Sequence, residues 1–328
     1  MRALLIVNPH ATSTTRFRRD VIVRALSSAV ELEVEQTRYR GHATSLAAAA
    51  RSEGFGLVLT LGGDGTVNEA VNGILAPTMA DDAGQAGQAG HHGAGGPGAG
   101  AASLPALAAL PAGNANVFTR NVGLSPDPVD ATGQILEALA AGRYRTIGLG
   151  LAGDRYFTFN AGLGIDAEVV RAVDGHRARG RTASPALYVW MILRQYYGVT
   201  DRRHPALTLE RDGQPPAGPL FLGIVSNTAP WTYLGSRPVY TSPEATFDSG
   251  LDVFALRSLR TVSTLRTIRR MLSPARPPHG RSVLTLHDQA ELTLRSSRPL
   301  AFQVDGEYMG EHECVKFLSV PGALRVIA

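Results

Sequence analysis

The hydrophobic positions of the chain fall into two textures. In the first, short continuous apolar runs alternate with helical patterns. Residues 3–7 (Ala-Leu-Leu-Ile-Val), 57–61 (Leu-Val-Leu-Thr-Leu) and 107–110 (Leu-Ala-Ala-Leu) are runs of the kind buried on both faces of a parallel sheet. Residues 31–36 alternate instead, with Leu32 and Val34 set between Glu31, Glu33 and Glu35, which predicts a half-buried strand. Residues 16–29, with Phe17, Val21, Val23 and Leu26 as apolar positions, the alanine-rich 43–53, and Val67 to Leu75 predict helices. Strands alternating with helices in this way form βαβ units, in which helices cover the faces of a parallel sheet.

From about residue 145 the texture changes. Short alternating segments recur at 155–161, 206–211, 219–226, 251–256, 283–287, 290–295, 300–304 and 314–318, with helical candidates near 184–197 and 261–272. Regularly spaced short strands predict a sandwich or barrel. The expected organisation is a doubly wound α/β domain over 1–144 followed by a mainly β sandwich domain over 145–328. Residues 81–103 interrupt the first domain: 8 of these 23 residues are Gly and 7 are Ala. So few large side chains cannot offset the entropy of ordering, which predicts a flexible surface insertion. Its His91-His92 pair reads as solvated loop residues.

Composition narrows the function. The 328 residues are 44% hydrophobic and 18% charged, enough apolar material for sizeable cores. Lys+Arg total 32 against 28 Asp+Glu, a net charge of +4, too small on its own to argue nucleic-acid binding. Lys316 is the only lysine, leaving 31 arginines. That excludes Schiff-base enzymes, P-loop NTPases and protein kinases, each of which needs a lysine in a defined motif. Cys314 is the only cysteine, which excludes zinc ribbons and disulfide scaffolds. The opening apolar run is too short for a signal peptide, and no uninterrupted run reaches the ~18 residues of a membrane span. These features together predict a cytoplasmic protein.

Chemistry concentrates at Gly62-Gly63-Asp64-Gly65-Thr66, where a buried strand meets a helix. In open α/β sheets ligands bind outside the carboxyl ends of the strands. Glycines there let backbone N–H groups approach a phosphate closely, and the helix dipole points at the same place. An aspartate would repel bare phosphate, so the useful role of Asp64 is through a cation: Mg²⁺ joining its carboxylate to nucleotide phosphates.

The eight residues Gly62-Gly63-Asp64-Gly65-Thr66-Val67-Asn68-Glu69 resemble the nucleotide motif of lipid kinases built on the diacylglycerol kinase catalytic domain, a group that includes bacterial diacylglycerol kinases and sphingosine kinases. The resemblance extends over most of the chain. Asn8-Pro9 matches the family's opening, and Thr37 with Gly41-His42-Ala43 its second nucleotide segment. Pro111-Ala112-Gly113-Asn114-Ala115-Asn116-Val117-Phe118 resembles its Pro-Leu-Gly-Thr-Ala-Asn-Asp-Phe segment. Residues 159–167 resemble the opening of its second domain, and Val304-Asp305-Gly306-Glu307 its late Asp-Gly-Glu motif.

The resemblance implies an ATP- and Mg²⁺-dependent kinase acting on a hydroxyl of a membrane lipid, diacylglycerol or a sphingoid-type base, with ATP and lipid meeting between the two domains. It implies that Asn8, Thr37, Gly62, Gly63, Asp64, Gly65, Thr66, Asn68, Glu69, Gly113 and Asn114 hold nucleotide, with Asp64 toward the metal. Glu307 would act as general base. Lacking lysines, the chain would neutralise phosphate with Mg²⁺, glycine N–H groups and arginines. Asp305-Gly306 also reads as a hairpin turn.

The sequence departs from the family pattern at four places. Asn114 stands where the family often has threonine, Val117 where it usually has aspartate, and Gly148 where many members have aspartate. Phe247-Asp248-Ser249-Gly250 replaces Asp-Asp-Gly, which speaks against a structural Mg²⁺ site there. Two other readings stay open: an NAD kinase, which shares the Gly-Gly-Asp-Gly-Thr motif, and a non-catalytic nucleotide- or lipid-binding protein. Three further segments can serve a membrane-surface partner or simply pack. These are the aromatic helix candidate 184–197, Pro230-Trp231-Thr232-Tyr233-Leu234, and the arginine-rich 257–281, which suits an anionic membrane surface or a solvated helix face.

Overall fold

The computed structural model describes residues 1–11, 15–76, 104–177, 201, 203–274 and 277–328. The insertion expected at 81–103 and the helix expected at 184–197 lie outside these residues. The described chain divides into two compact units: Met1–Gly113 with Val122–Ile147 and Gly322–Ala328, and Asn114–Asn121 with Gly148–Pro321.

In the first unit, β1 (Arg2–Val7), β2 (Glu31–Gln36), β3 (Leu57–Gly62) and β4 (Ala106–Pro111) pair in parallel in the order β2-β1-β3-β4. The runs read as buried strands are buried: β3 and β4 are covered along their full length. The helices α1 (Arg16–Ser27), α2 (His42–Ser52) and α3 (Asp64–Ile74) follow the first three strands. Two neighbouring helices, α4 (Val117–Asn121) and α5 (Pro128–Ala140), come next, and only α5 belongs to this unit. The alanines of α2 and Gly73 of α3 let these two helices approach closely. A Cβ on Gly73 would stand 2.2 Å from the Thr44 carbonyl oxygen.

Three expectations for this unit need correction. In α1 the buried residues are Ile22 and Leu26, whereas Phe17 and Val21 are exposed. Each pair has i,i+4 spacing, so each marks a face of the helix, and the sequence pattern selected the wrong one in part. β2 is not half-buried: it is the outer strand of this pairing, Leu32 is only partly covered and Val34 is exposed. And α3 begins at Asp64, three residues before the expected Val67.

The second unit is strand-rich. It contains β6 (Arg155–Phe157), β7 (Asn160–Gly164), α6 (Ile165–Arg177), β8 (Leu207–Arg211), β9 (Gln214–Leu220) and β10 (Leu222–Ser226). Next come the hairpin β11 (Thr232–Leu234) and β12 (Arg237–Val239), then β13 (Leu251–Leu256), α7 (Thr261–Met271) and β14 (Val283–Gln289). The chain ends on β15 (Glu291–Val304) and β16 (Glu307–Val326). β5 (Arg145–Ala152) carries the chain in from the first unit, and the last residues of β16 return to it, Val326 pairing with Leu107. Pairing in this unit is antiparallel, with order β14-β13-β10-β7-β15-β16. Both faces of β10 and β13 are covered. Val225 and Val253 join a core with Phe157, Leu163, Leu294 and Phe317, while Ile224 and Phe254 join another with Leu259 and Met271.

An α/β unit with a parallel sheet followed by a strand-rich unit is the expected fold class. The segments expected at 290–295 and 300–304 are one strand, bulged between Arg295 and Leu300, and 314–318 is the middle of a 20-residue strand.

Candidate active site

The parallel register aligns the motif residues of the first unit. Val7 lies opposite Gln36 and Leu61, and Gly62 opposite Pro111. Asn8, Thr37, Gly63 and Ala112–Gly113 therefore follow directly from the carboxyl ends of four adjacent strands. Four segments scattered over about a hundred residues of sequence meet along one edge of the sheet, where an α/β fold binds its ligands.

Local hydrogen bonds hold that edge together. The Asn8 backbone N–H donates to the Leu61 carbonyl at 3.0 Å, Thr37 N–H to Val7 at 2.9 Å, and Ala112 N–H to Gly62 at 2.8 Å. Asn8 Nδ2 donates to Thr66 Oγ1 at 3.3 Å, and Asn8 Oδ1 accepts the His10 N–H at 3.0 Å. The glycines have separate reasons. A Cβ on Gly62 would stand 2.5 Å from Thr66 Oγ1, and one on Gly63 would touch the Gly113 Cα at 3.4 Å. Gly63 is the N-cap of α3, and Asp64 and Gly65 form the partly exposed first turn. The first N–H groups of a helix lack partners within it, which makes this turn suited to an anion. Asp64 is the acidic side chain of the same turn.

Two motif residues have other tasks. Glu69 is buried, and its carboxylate oxygens accept the N–H groups of Gly41 at 2.8 Å and Ala43 at 3.1 Å. The N-cap of α2 is Gly41, in left-handed geometry and without a side-chain cap hydrogen bond of its own, so Glu69 caps the helix from α3. Grouped by its motif with the nucleotide ligands, Glu69 instead holds the second motif segment in place. Asn68 is also buried and accepts a hydrogen bond from Asn72 Nδ2 at 3.2 Å within α3.

In the second unit, Asp305-Gly306 is the turn joining β15 to β16, both residues having positive φ (47° and 76°), as a two-residue hairpin requires. Asp305 is buried, and its carboxylate accepts four hydrogen bonds: from Thr158 N–H at 2.7 Å, Thr158 Oγ1 at 2.8 Å, Phe159 N–H at 3.0 Å and Asn160 N–H at 3.2 Å. Gln303 completes the anchor. It accepts the Gly306 N–H at 2.9 Å and donates to Asn160 Oδ1 at 2.7 Å and Asp166 Oδ2 at 2.8 Å. Burial pushes the Asp166 carboxyl up to about 6, with the Gln303 hydrogen bond opposing the rise.

Glu307 emerges from this fixed turn as the first residue of β16, one-quarter exposed, 3.9 Å from the guanidinium of Arg155. Arg155 and Gln303 were not foreseen as site residues. Gln303 lies near the end of β15, two residues before Asp305, and this nearness is a usable signal; Arg155 meets Glu307 across 152 positions of sequence and gives none. Asn114 is exposed and belongs with the second unit. The described residues hold no cluster of three metal-ligating His, Cys, Asp or Glu.

The departures have physical counterparts. A Cβ on Gly148 would stand 2.8 Å from the Phe247 carbonyl oxygen, so an aspartate does not fit there unless the backbone moves. Val117 is buried in α4. Ser249 Oγ donates to the Thr246 carbonyl at 3.1 Å, closing a local turn.

Residues 2–151 match the diacylglycerol kinase catalytic domain. Over that stretch the chain is similar to the diacylglycerol kinase catalytic domain. That domain makes it an enzyme of the lipid-kinase class. Over 317 residues it is 25% identical to the diacylglycerol kinases of Staphylococcus aureus strains bovine RF122 / ET3-1 and JH9, covering 94% of this chain and 87% of each relative. A crystal structure from Bacillus anthracis str. Sterne shares its fold at TM-score 0.71 and 22% identity, over 99% of this chain and 96% of the other. The crystal structure of a diacylglycerol kinase from the same organism aligns at TM-score 0.67 and 19% identity.

Proposed function

We propose that this lipid kinase transfers the γ-phosphoryl group of ATP, with Mg²⁺, to a hydroxyl of a membrane lipid, diacylglycerol being the first candidate. The alignment of Asn8, Thr37, Gly63 and Gly113 at the carboxyl ends of four parallel strands, beside the first turn of α3, carries the nucleotide half of the reading. The residues suit the ligand. Glycine backbone at a helix N-terminus binds phosphate without a lysine, and Lys316, the one lysine, is paired with Glu291 at 2.6 Å. Mg²⁺ commonly takes one or two carboxylates plus substrate phosphates rather than a protein cage, which fits Asp64 alone. When bound, the metal would offset the charge that develops on the phosphates.

The remaining work falls to the chain. The first-turn N–H groups of α3 orient the phosphates, and Asn8, through Thr66, fixes that turn. Glu307 accepts the proton of the attacking lipid hydroxyl, and the Asp305 and Gln303 anchors hold its position in the hairpin. The lipid hydroxyl belongs to a molecule in a bilayer, so the reading includes peripheral contact with a membrane surface.

Purified protein incubated with labelled ATP, Mg²⁺ and a panel of lipid alcohols should give a phospholipid. Asp64→Ala and Glu307→Gln should each lower turnover by about a hundredfold or more. Unchanged turnover in Asp64→Ala would refute the assignment, and formation of NADP from NAD with no phospholipid would replace it by an NAD kinase. Binding of ATP without turnover on any alcohol would leave a non-catalytic protein.

A further inference from the structure

α7 presents its apolar side chains to solvent. Val262, Leu265 and Ile268 are 71%, 60% and 45% exposed, while the residues it buries are Thr267 and Met271. At about 100° per residue, Val262, Leu265 and Ile268 form one stripe opposite the Thr267–Met271 side, which packs with Leu259 and Phe254. A soluble surface helix ordinarily does the reverse, turning its apolar stripe toward the core.

The charge around the stripe is of one sign. Between Val253 and His287 there is no Asp or Glu, and there are seven arginines. Arg257, Arg260, Arg266, Arg269 and Arg281 are exposed. Arg269 lies within the angular span of the stripe, and Arg266 borders it. No ion pair joins Arg257, Arg260, Arg266 or Arg269 to a carboxylate among the described residues. The guanidinium of Arg270 donates to the His279 carbonyl at 2.7 Å, which ties the following loop to the helix.

We propose that α7 docks on an anionic bilayer, lying in the plane of the interface with Val262, Leu265 and Ile268 inserted at headgroup level and the flanking arginines against lipid phosphates. A short helix with an apolar face and a basic border is the physical description of an interfacial anchor. Arginines can extend their aliphatic stems along that face while their charges stay in the headgroup layer. A second copy of this chain is a poor occupant, because a two-fold contact through this face sets arginines against arginines. No described helix is long and apolar enough to cross a membrane, so this contact is a surface one. It gives the proposed kinase a specific way onto its substrate's membrane, but depends on neither Asp64 nor Glu307.

The test is flotation of the full chain with vesicles of phosphatidylcholine alone and of phosphatidylcholine mixed with phosphatidylglycerol, at low and high salt. The chain should float with the mixed vesicles, less so at high salt, and not with the neutral ones. Val262→Ser/Leu265→Ser/Ile268→Ser should lower vesicle affinity at least about tenfold. Arg257→Gln/Arg266→Gln/Arg269→Gln should lower it about fivefold per arginine. Both triple variants should keep the wild-type thermal midpoint, since the side chains are exposed, and Asp64→Ala should float as the wild type does. The proposal is overturned if the wild type does not float, if it floats equally with neutral vesicles, or if either folded triple variant floats unchanged. It is likewise overturned if the face instead forms a concentration-dependent dimer that the serine variant abolishes. None of these results touches the catalytic assignment, which is read by turnover.

Discussion

Asp305 and Glu307 stand two residues apart in one hairpin and should respond to substitution in opposite ways. Asp305→Ala removes the acceptor of four hydrogen bonds, three of them from backbone N–H groups at Thr158, Phe159 and Asn160. The Thr158 hydroxyl can turn elsewhere, but the backbone donors cannot. Each buried donor left without a partner costs about 1–3 kcal/mol, so three cost roughly 3–6 kcal/mol once some water enters the vacated space. At ~2–4 °C per kcal/mol for a unit of this size, the second unit should melt on the order of 10 °C lower. Asp305→Asn keeps one accepting oxygen but turns an amide NH2 toward the donors the other oxygen served, so it should cost at least half as much. Glu307 is one-quarter exposed and lies 3.9 Å from the Arg155 guanidinium, so Glu307→Gln should leave the midpoint within about 2 °C while lowering turnover about a hundredfold or more. Thermal unfolding followed by circular dichroism, alongside the lipid phosphorylation assay, separates the two. An Asp305→Ala protein that melts with the wild type would refute the anchor. A Glu307→Gln protein that loses stability as Asp305→Ala does would refute the division of labour.

Three further outcomes follow from the geometry. Gly73→Ala would place a Cβ 2.2 Å from the Thr44 carbonyl and force α2 from α3, lowering stability by about 2 kcal/mol or more, read from the urea midpoint. Glu69→Ala leaves the Gly41 and Ala43 N–H groups without their cap, which should cost about 2–4 kcal/mol; Glu69→Gln, retaining one acceptor, should cost about half as much in the same titration. Asp166 ionises near 3.8 when unfolded and near 6 when folded, so the folded state binds the extra proton and stability from this group falls as pH rises between those values. Asp166→Asn should therefore raise the thermal midpoint at pH 8, by at most about 3 kcal/mol in stability, and leave it unchanged at pH 4; an equal gain at both would sink the explanation.

How far the sequence could be read depended on whether a signal was local. The runs at 3–7, 57–61 and 107–110 became β1, β3 and β4 because continuous burial leaves continuous apolar residues. α3 was placed three residues late because Asp64-Gly65-Thr66 reads as loop, although an aspartate in a first turn is favourable to a helix. α5 was missed despite a readable start, Asp127 capping the N–H groups of Val129 and Asp130 ahead of Pro128. β15 and β16 looked like fragments because the bulge near Arg295 and the exposed polar positions break their apolar pattern. The motif order marked where a site would be, but not what each residue does in it. The capping role of Glu69 depends on donors 26 and 28 positions away, and the four donors to Asp305 lie 145 to 147 positions away. Such pairings exist only after folding.

The return of β16 to the first unit has a consequence for how the protein is made. Ile327 N–H donates to the Leu107 carbonyl at 2.9 Å, and Val326 pairs with the same residue. The first unit, although most of it precedes the second in the chain, thus lacks the neighbour of β4 until the whole second unit has left the ribosome. On the ribosome the second unit can close first, while β4 waits as an open edge that invites pairing with other chains. Order of synthesis and order of completion are inverted, and any truncation within residues 322–328 should harm the unit at the opposite end of the sequence.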